Sequence, residues 1–147
     1  MSLTFYPVTI NNVGELMPIE NDCHSHPWSE KIFKSCIGER YFGHYLKDQN
    51  NIIGFYIGEY ILGEATLMDI CISPTYQGNG YGKHILNHYT KEARLLGAEK
   101  LLLEVRAKNI SALMMYINDG YAEVARRTGY YPSAIGYEDA IVMQRAL

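Results

Sequence analysis

A chain of 147 residues, nearly half of them apolar, suits one domain spanning 1–147 around a single core. The net charge of −3 gives no electrostatic case for nucleic-acid binding, and no apolar run approaches the roughly 20 residues of a membrane span. The N-terminus lacks the basic region and apolar stretch of a secretion signal, and Cys23, Cys36 and Cys71 form no CxxC pair, so reduced thiols and a cytoplasmic location are expected.

In chain order, a strand is expected near Phe5 to Ile10, followed by an Asn11-Asn12 cap and a helix with Val13, Leu16, Met17 and Ile19 on its apolar side. Pro18 should bend or split that helix. Pro27-Trp28-Ser29 opens a second short helix through Cys36, with Ser29 as its cap. Strands follow at Tyr41 to Lys47, Ile52 to Ile61 and Glu64 to Ile72, with turns at Asp48 to Asn51 and Leu62-Gly63. Tyr81, Ile85, Leu86, Tyr89, Ala93 and Leu96 recur at helical spacing up to Gly97, a residue suited to the positive φ of a helix end. Leu101 to Val105 is a buried strand, Asn109 caps a short helix from Ala112 to Asp119, and Gly120 ends it. Two last strands, Tyr121 to Arg127 and Tyr137 to Arg145, are joined by a Gly-Tyr-Tyr-Pro segment. The order β-α-α-β-β-β-α-β-α-β-β implies an α/β fold with a mixed sheet flanked by helices.

Between the strand Glu64 to Ile72 and the helical signals that begin at Tyr81 lies a glycine-rich turn, Gln77-Gly78-Asn79-Gly80-Tyr81-Gly82-Lys83, preceded by Ser73-Pro74. Glycines at alternate positions let backbone approach an anion, and the first amides of the following helix point toward it with the positive end of the dipole behind them. A ligand carrying pyrophosphate is indicated. The spacing fails the P-loop, because only three residues separate Gly78 from Gly82-Lys83 and His84 follows. It also fails the dinucleotide fingerprint, because position 83 is Lys.

The remaining pattern, Gln77-x-x-Gly80-x-Gly82, resembles the acetyl-coenzyme A loop of the GCN5-related N-acetyltransferases (GNAT), whose element order also matches. Pro27-Trp28-Ser29-Glu30, Gly38-Glu39-Arg40-Tyr41, Glu64-Ala65-Thr66-Leu67, Leu103-Glu104-Val105-Arg106-Ala107, Asn109, and Tyr130-Tyr131-Pro132 with Glu138-Asp139-Ala140 resemble the bacterial ribosomal-protein-alanine N-acetyltransferases of RimI type. That family acetylates the N-terminal alanine of protein eighteen of the small ribosomal subunit, whose N-terminal segment is basic. Departures are Gly78 where relatives carry a basic residue, His26 where Phe is familiar, Cys71 in the strand beside the thioester, and Lys108.

Acetyl transfer to an amine needs a neutral nucleophile, a stabilised oxyanion and a proton for the departing thiolate. An α-amino group titrates at about 7.7 to 8.0, so a modest base suffices. Glu104 alternates with Leu103 and Val105 and leaves the opposite sheet face; the resemblance makes it the general base, against the plainer reading of a strand-end carboxylate paired with Arg106. The resemblance makes Tyr116 the general acid, although an aromatic on an inward helical face is also ordinary core. It assigns the oxyanion to backbone amide within Ile70, Cys71 and Ile72, and the pyrophosphate to Gln77, Gly78, Asn79, Gly80, Tyr81, Gly82 and Lys83, with Asn109 contacting the same co-substrate. Glu39, Arg40, Tyr41, Tyr131 and Glu138 are candidates for the acceptor groove. Cys23, His24 and His26 invite a zinc reading, but no second ligand pair stands at metal spacing and Pro27 follows, so no metal is expected. His44, His84 and His88 read as surface positions, and Cys71, with no base beside it in the motif, reads as inert packing rather than an acetyl carrier. Two other functions stay open: an acetyltransferase for a lysine side chain or small-molecule amine, and a non-catalytic coenzyme A-binding module.

Overall fold

The computed structural model describes residues 2–133 and 136–147. Strands β1 (Leu3–Pro7), β2 (Tyr41–Asp48), β3 (Asn51–Ile61) and β4 (Glu64–Ile72) pair antiparallel in succession. β5 (Lys100–Arg106) joins β4 in parallel, which requires a crossover, and helix α3 (Tyr81–Leu96) supplies it. β7 (Gly136–Ala146) and β6 (Ala122–Ser133) then extend the sheet antiparallel to give the order β1-β2-β3-β4-β5-β7-β6. With α1 (Val13–Cys23), α2 (Glu30–Ser35) and α4 (Ile110–Asn118), the helix and strand order is the one expected, apart from two added 3-10 turns at Ile10–Asn12 and Pro74–Tyr76.

Local boundaries differ in three places. β1 begins and ends earlier than expected, because Ile10 has already turned into the 3-10 segment that leads into α1. Pro18 does not split α1, which stays one helix because Val13, Leu16 and Ile19 are buried on one side of it. The Gly-Tyr-Tyr-Pro segment is not a link between the last two strands but part of β6, whose register against β7 slips between Arg127 and Tyr131 and resumes at Tyr131↔Glu138. The connection through 134 and 135 lies outside the described residues.

Adjacent residues of β3 show that the two cores lie on opposite faces of the sheet. Tyr56 packs with Ile85, Leu86 and Tyr89 of α3 and with Leu101 and Leu103 of β5, while Phe55 and Ile57 pack with Val13, Leu16 and Phe33 of α1 and α2. The apolar stripe of α3 explains its docking: Ile85, Leu86, Tyr89 and Ala93 are all fully buried, and Gly97 at φ 100° ends the helix by donating to the carbonyls of Ala93 and Arg94.

One irregularity in β4 governs everything downstream. The β3 register jumps from Leu67↔Gly58 to Asp69↔Ile57, which leaves Met68 as the extra residue of a β-bulge. A one-residue insertion inverts the facing of every later side chain. Accordingly Ala65 and Leu67 belong to the α3 core, whereas beyond Met68 it is Ile70 and Ile72 that pack there, and Cys71 turns to the α1 core. The pairing of β4 with β5 also stops at Leu67↔Leu103, while β5 continues along β7 to Arg106↔Ala140. The two central strands therefore part, and a cleft opens between them.

Candidate active site

The cleft is a cavity of about 710 Å³. One end is formed by the turn after β4 and the N-termini of α3 and α4; the other by the end of α1, the loop to α2, and the ends of β5 and β6. Of the residues singled out from the sequence, Glu104, Tyr116, Ile70, Ile72, Gln77, Gly78, Gly80, Tyr81, Gly82, Lys83, Asn109 and Tyr131 line it.

At the first end the site is mostly backbone. Gly78 and Gly80 adopt φ of 79° and 83° with open space where a Cβ would be. A side chain there would cost backbone strain of about 1–2 kcal/mol. Gly80 is the N-cap residue of α3 and contributes no side-chain cap. Gly82 lets α3 approach α4, since a Cβ would sit 3.2 Å from Met115 Sδ. The loop is held from within: Gln77 Nε2 donates to the Ile72 carbonyl at 3.0 Å, and Asn79 Nδ2 donates to the carbonyls of Tyr76 and Gln77, both at 3.2 Å. Asn79 thus braces the loop and does not line the cavity. An exposed lysine, Lys83, and a helix N-terminus facing an open concavity form a fitting cradle for a phosphorylated ligand.

At the point where the strands part, Glu104 and Tyr116 face the cavity from β5 and α4. Glu104 alternates with the buried Leu101, Leu103 and Val105, as its spacing implied, but its ion-pair partner is Arg127 on β6, Nη2 to Oε1 at 3.1 Å, and not Arg106. Arg106 instead donates to the Pro132 carbonyl at 2.7 Å and to Glu138 Oε1 at 3.0 Å, and lies over the Tyr131 ring at 4.5 Å. Tyr116 is 5% exposed. Burial pushes its phenol well above the ordinary value, so it keeps its proton at neutral pH. Asn109 caps α4 by accepting from the Ala112 amide at 3.2 Å, as expected, and it lines the cavity. From Met68 to Ile72 the β4 backbone has no β5 strand beside it, and backbone polar groups on that side stand at the cleft.

Four residues expected in the acceptor groove are elsewhere. Glu39, Arg40 and Tyr41 precede and begin β2, outside the cavity lining; Arg40 is held by Glu59 at 2.6 Å and by the Tyr41 hydroxyl at 2.8 Å. Glu138 is taken by Arg106 and by the Lys108 amide, and the Arg106 hydrogen bond lowers its carboxyl. The end of the cavity at α1 is lined instead by Glu20, Cys23, His24, His26 and Trp28.

Glu20 is 1% exposed and organises that end: its Oε2 accepts from the Trp28 amide at 2.8 Å, tying the loop to α1. Burial, reinforced by Asp69, raises its carboxyl to about 8. Burial opposes charge on His24, but the Asp69 hydrogen bond and charge outweigh it and hold the imidazole up at about 9. Cys71 is not isolated packing: its sulfur lies 3.1 Å from His24 Nε2, 3.3 Å from Glu20 Oε1 and 3.4 Å from Asp69 Oδ1. Asp69 Oδ1 meets that same Nε2 at 2.8 Å, so the imidazole cannot bridge thiol and carboxylate through its two nitrogens as a nucleophile relay does. Burial raises the Cys71 thiol, which also opposes a nucleophilic role. The warning in the sequence was an acid, Asp69, set among the apolar residues Leu67 to Ile72, and a Glu20–His24 pair at helical spacing.

His44 and His88 also depart from expectation. Both are half-buried, and both rings meet the Tyr56 hydroxyl, at 3.2 and 2.9 Å, while His88 stacks on Phe5 at 3.8 Å. His84 is exposed, as expected.

Comparison with known proteins agrees with this architecture. The model of the acetyltransferase (GNAT) family matches residues 13–121. The chain is 42% identical over 125 residues to the ribosomal protein bS18-alanine N-acetyltransferase of Escherichia coli (strain K12), covering 85% of this chain and 84% of that protein. It is 44% identical over 129 residues to the enzyme of the same name from Haemophilus influenzae, covering 87% and 88%. The crystal structure of the Escherichia coli ribosomal-protein-S18-alanine N-acetyltransferase superposes with a TM-score of 0.95 at 37% identity, over 99% of this chain and 94% of that one. The parted β4 and β5, the glycine cradle and these likenesses agree: the chain belongs to the acetyltransferase (GNAT) family and, within it, to the ribosomal protein bS18-alanine N-acetyltransferases.

Proposed function

We propose that this chain transfers an acetyl group from acetyl-coenzyme A to the N-terminal alanine of ribosomal protein bS18, by direct attack of the amine. The observation that carries the reading is that Glu104 and Tyr116 line one cavity, from β5 and from α4, where β4 leaves β5. Acetyl-coenzyme A supplies the activated acyl group. The Gly78–Lys83 turn and the first amides of α3 hold its pyrophosphate, and Asn109 borders the same end. An unpaired amide of the β4 segment after Met68 stabilises the oxyanion. Glu104 takes the proton from the α-ammonium, directly or through water, and Tyr116 keeps a proton ready for the departing thiolate. Arg127 orients the Glu104 carboxylate from the β6 side.

A buried phenol that keeps its proton suits the acid, and a carboxylate at the open end of the cleft suits a base that meets an acceptor entering from solvent. An α-amine needs little help to lose its proton at neutral pH, whereas a lysine at about 10.4 needs far more.

The test is turnover with three acceptors: a peptide beginning Ala-Arg, the same peptide blocked at its N-terminus but carrying a lysine, and a polyamine. Selective acetylation of the free alanine terminus is expected, located by mass spectrometry. Equal or better turnover of lysine or polyamine would overturn the proposal.

A further inference from the structure

Two of the cysteines meet where the end of α1 packs on β4. Cys23 Sγ and Cys71 Sγ lie within 4.8 Å of one another. Cys23 is the last residue of α1, half-buried and on the cavity wall, whereas Cys71 is fully buried. The Met68 bulge makes the meeting possible, because it turns Cys71 away from α3 and into the core against which Cys23 packs. The other thiol, Cys36, follows α2, is 8% exposed and lies outside the cavity lining.

The two sulfurs are not equivalent. Hydrogen bonding from the Cys71 thiol lowers Cys23 to about 7 against the effect of burial, and the His24 charge and the Ile72 amide add to the lowering. A large share of Cys23 is therefore thiolate at neutral pH, which is the form that reacts. Burial pushes the Cys71 thiol up, so it holds its proton until a neighbouring sulfur is activated. Burial raises Cys36 as well. A thiolate that opens on a cavity, with a second sulfur beside it, is the arrangement that peroxides oxidise selectively.

We propose that Cys23 and Cys71 form a peroxide-oxidised modification site, in which Cys23 reacts first and Cys71 converts the product to a reversible disulfide. In the first step the Cys23 thiolate attacks one oxygen of hydrogen peroxide. The O–O bond breaks as the S–O bond forms, the sulfur is oxidised to a sulfenic acid, and the departing hydroxide takes a proton from solvent to become water. In the second step the Cys71 sulfur attacks the Cys23 sulfur while its proton passes to Asp69 Oδ1, 3.4 Å away. The S–S bond forms as the S–O bond breaks, and the hydroxide leaves as water with that proton. Two thiols and one peroxide thus give one disulfide and two waters. The sulfurs close to about 2.0 Å, a movement on the scale of one χ1 rotamer change at the end of a helix. The bond ties the α1 wall of the cavity to the β4 segment that borders the cleft.

The test uses the full reduced chain, freed of thiol reagent and treated with a small excess of hydrogen peroxide. Intact mass spectrometry should show the loss of about 2 Da, peptide mapping should place the disulfide between Cys23 and Cys71 with Cys36 still free, and dithiothreitol should restore the starting mass. The rate should rise with pH around a midpoint near 7, where an ordinary thiol would give about 8.5. Cys71→Ala should stop the reaction at the first step, leaving a sulfenic acid on Cys23 that dimedone traps. Cys23→Ser, at a half-buried position, should slow peroxide consumption at least tenfold. A wild-type chain that keeps its mass, oxidation that falls on Cys36 as readily as on Cys23, or a trapped Cys23 sulfenic acid in the wild type with no disulfide would each overturn the proposal. The wild-type mass and map decide it even if a variant fails to fold, and the readout is independent of the acceptor.

Discussion

The two ends of the cleft are built from different materials. The end at α3 is backbone: positive-φ glycines, a helix N-terminus that begins at a glycine, and carbonyls held by Gln77 and Asn79. The end at α1 is side chains drawn from separate parts of the chain, with Glu20, Cys23 and His24 from α1 and its exit, Asp69 and Cys71 from β4, Glu104 from β5 and Tyr131 from β6. A backbone cradle can be written in one short run of sequence and serves any acceptor. A side-chain constellation needs the fold to assemble it, and it is where one member of a family can differ from another.

If that division holds, changes at the two ends should fall on different kinetic parameters. The largest effect is expected from Glu104→Gln, which should lower kcat/KM by about 100-fold or more with Tm nearly unchanged. Cys71→Ala should not reproduce that loss; if it alone abolished turnover while Glu104→Gln spared it, direct attack would be wrong. Tyr116→Phe should reduce kcat by about 10-fold to 100-fold while the KM for acetyl-coenzyme A holds, read from initial rates by thiol release. Gly80→Ala introduces a Cβ at φ 83° in open space. It should cost about 1–2 kcal/mol in urea unfolding and raise the KM for acetyl-coenzyme A, leaving the KM for the peptide alone. A change confined to the peptide KM would break the comparison.

The smallest effect concerns stability away from both ends. Burial holds His88 down at about 4, with His44 adding to it, below the ordinary 6.5. The folded state therefore binds this proton less readily than the unfolded state does. Stability from the neutral ring is fully present above about 6.5 and is lost as pH falls toward 4, with a slope of at most about 1.4 kcal/mol per pH unit. His88→Gln should remove this positive contribution to the slope of urea-unfolding stability against pH between about pH 4.5 and pH 6.5, leaving the opposite slope of Glu20, whose carboxyl is held up at about 8, and an unchanged slope would remove His88 from the explanation.

The elements were legible to different degrees for identifiable reasons. The stripe on α3 was plain because a helix with one buried face repeats its apolar residues at a fixed period, and the loop before it because only glycine accepts its conformation cheaply. Glu104 was legible by alternation within a short buried strand. Arg127 as its partner was not, since that pairing crosses from β5 over β7 to β6. Glu39, Arg40, Tyr41 and Glu138 carried charges or rings typical of a binding surface, yet their neighbours in space already satisfy Arg40 and Glu138.

By itself the sequence determined the order of helices and strands, the glycine turn at the head of α3, and the facing of Glu104, because each rests on residues near one another along the chain. Tertiary structure alone decided where β4 leaves β5, which face Asp69 and Cys71 present, and which residues line the α1 end of the cleft. The physical reason is the extra residue at Met68: one bulge inverts the facing of every later side chain in the strand, and its effect is visible only when β3 and β5 lie alongside.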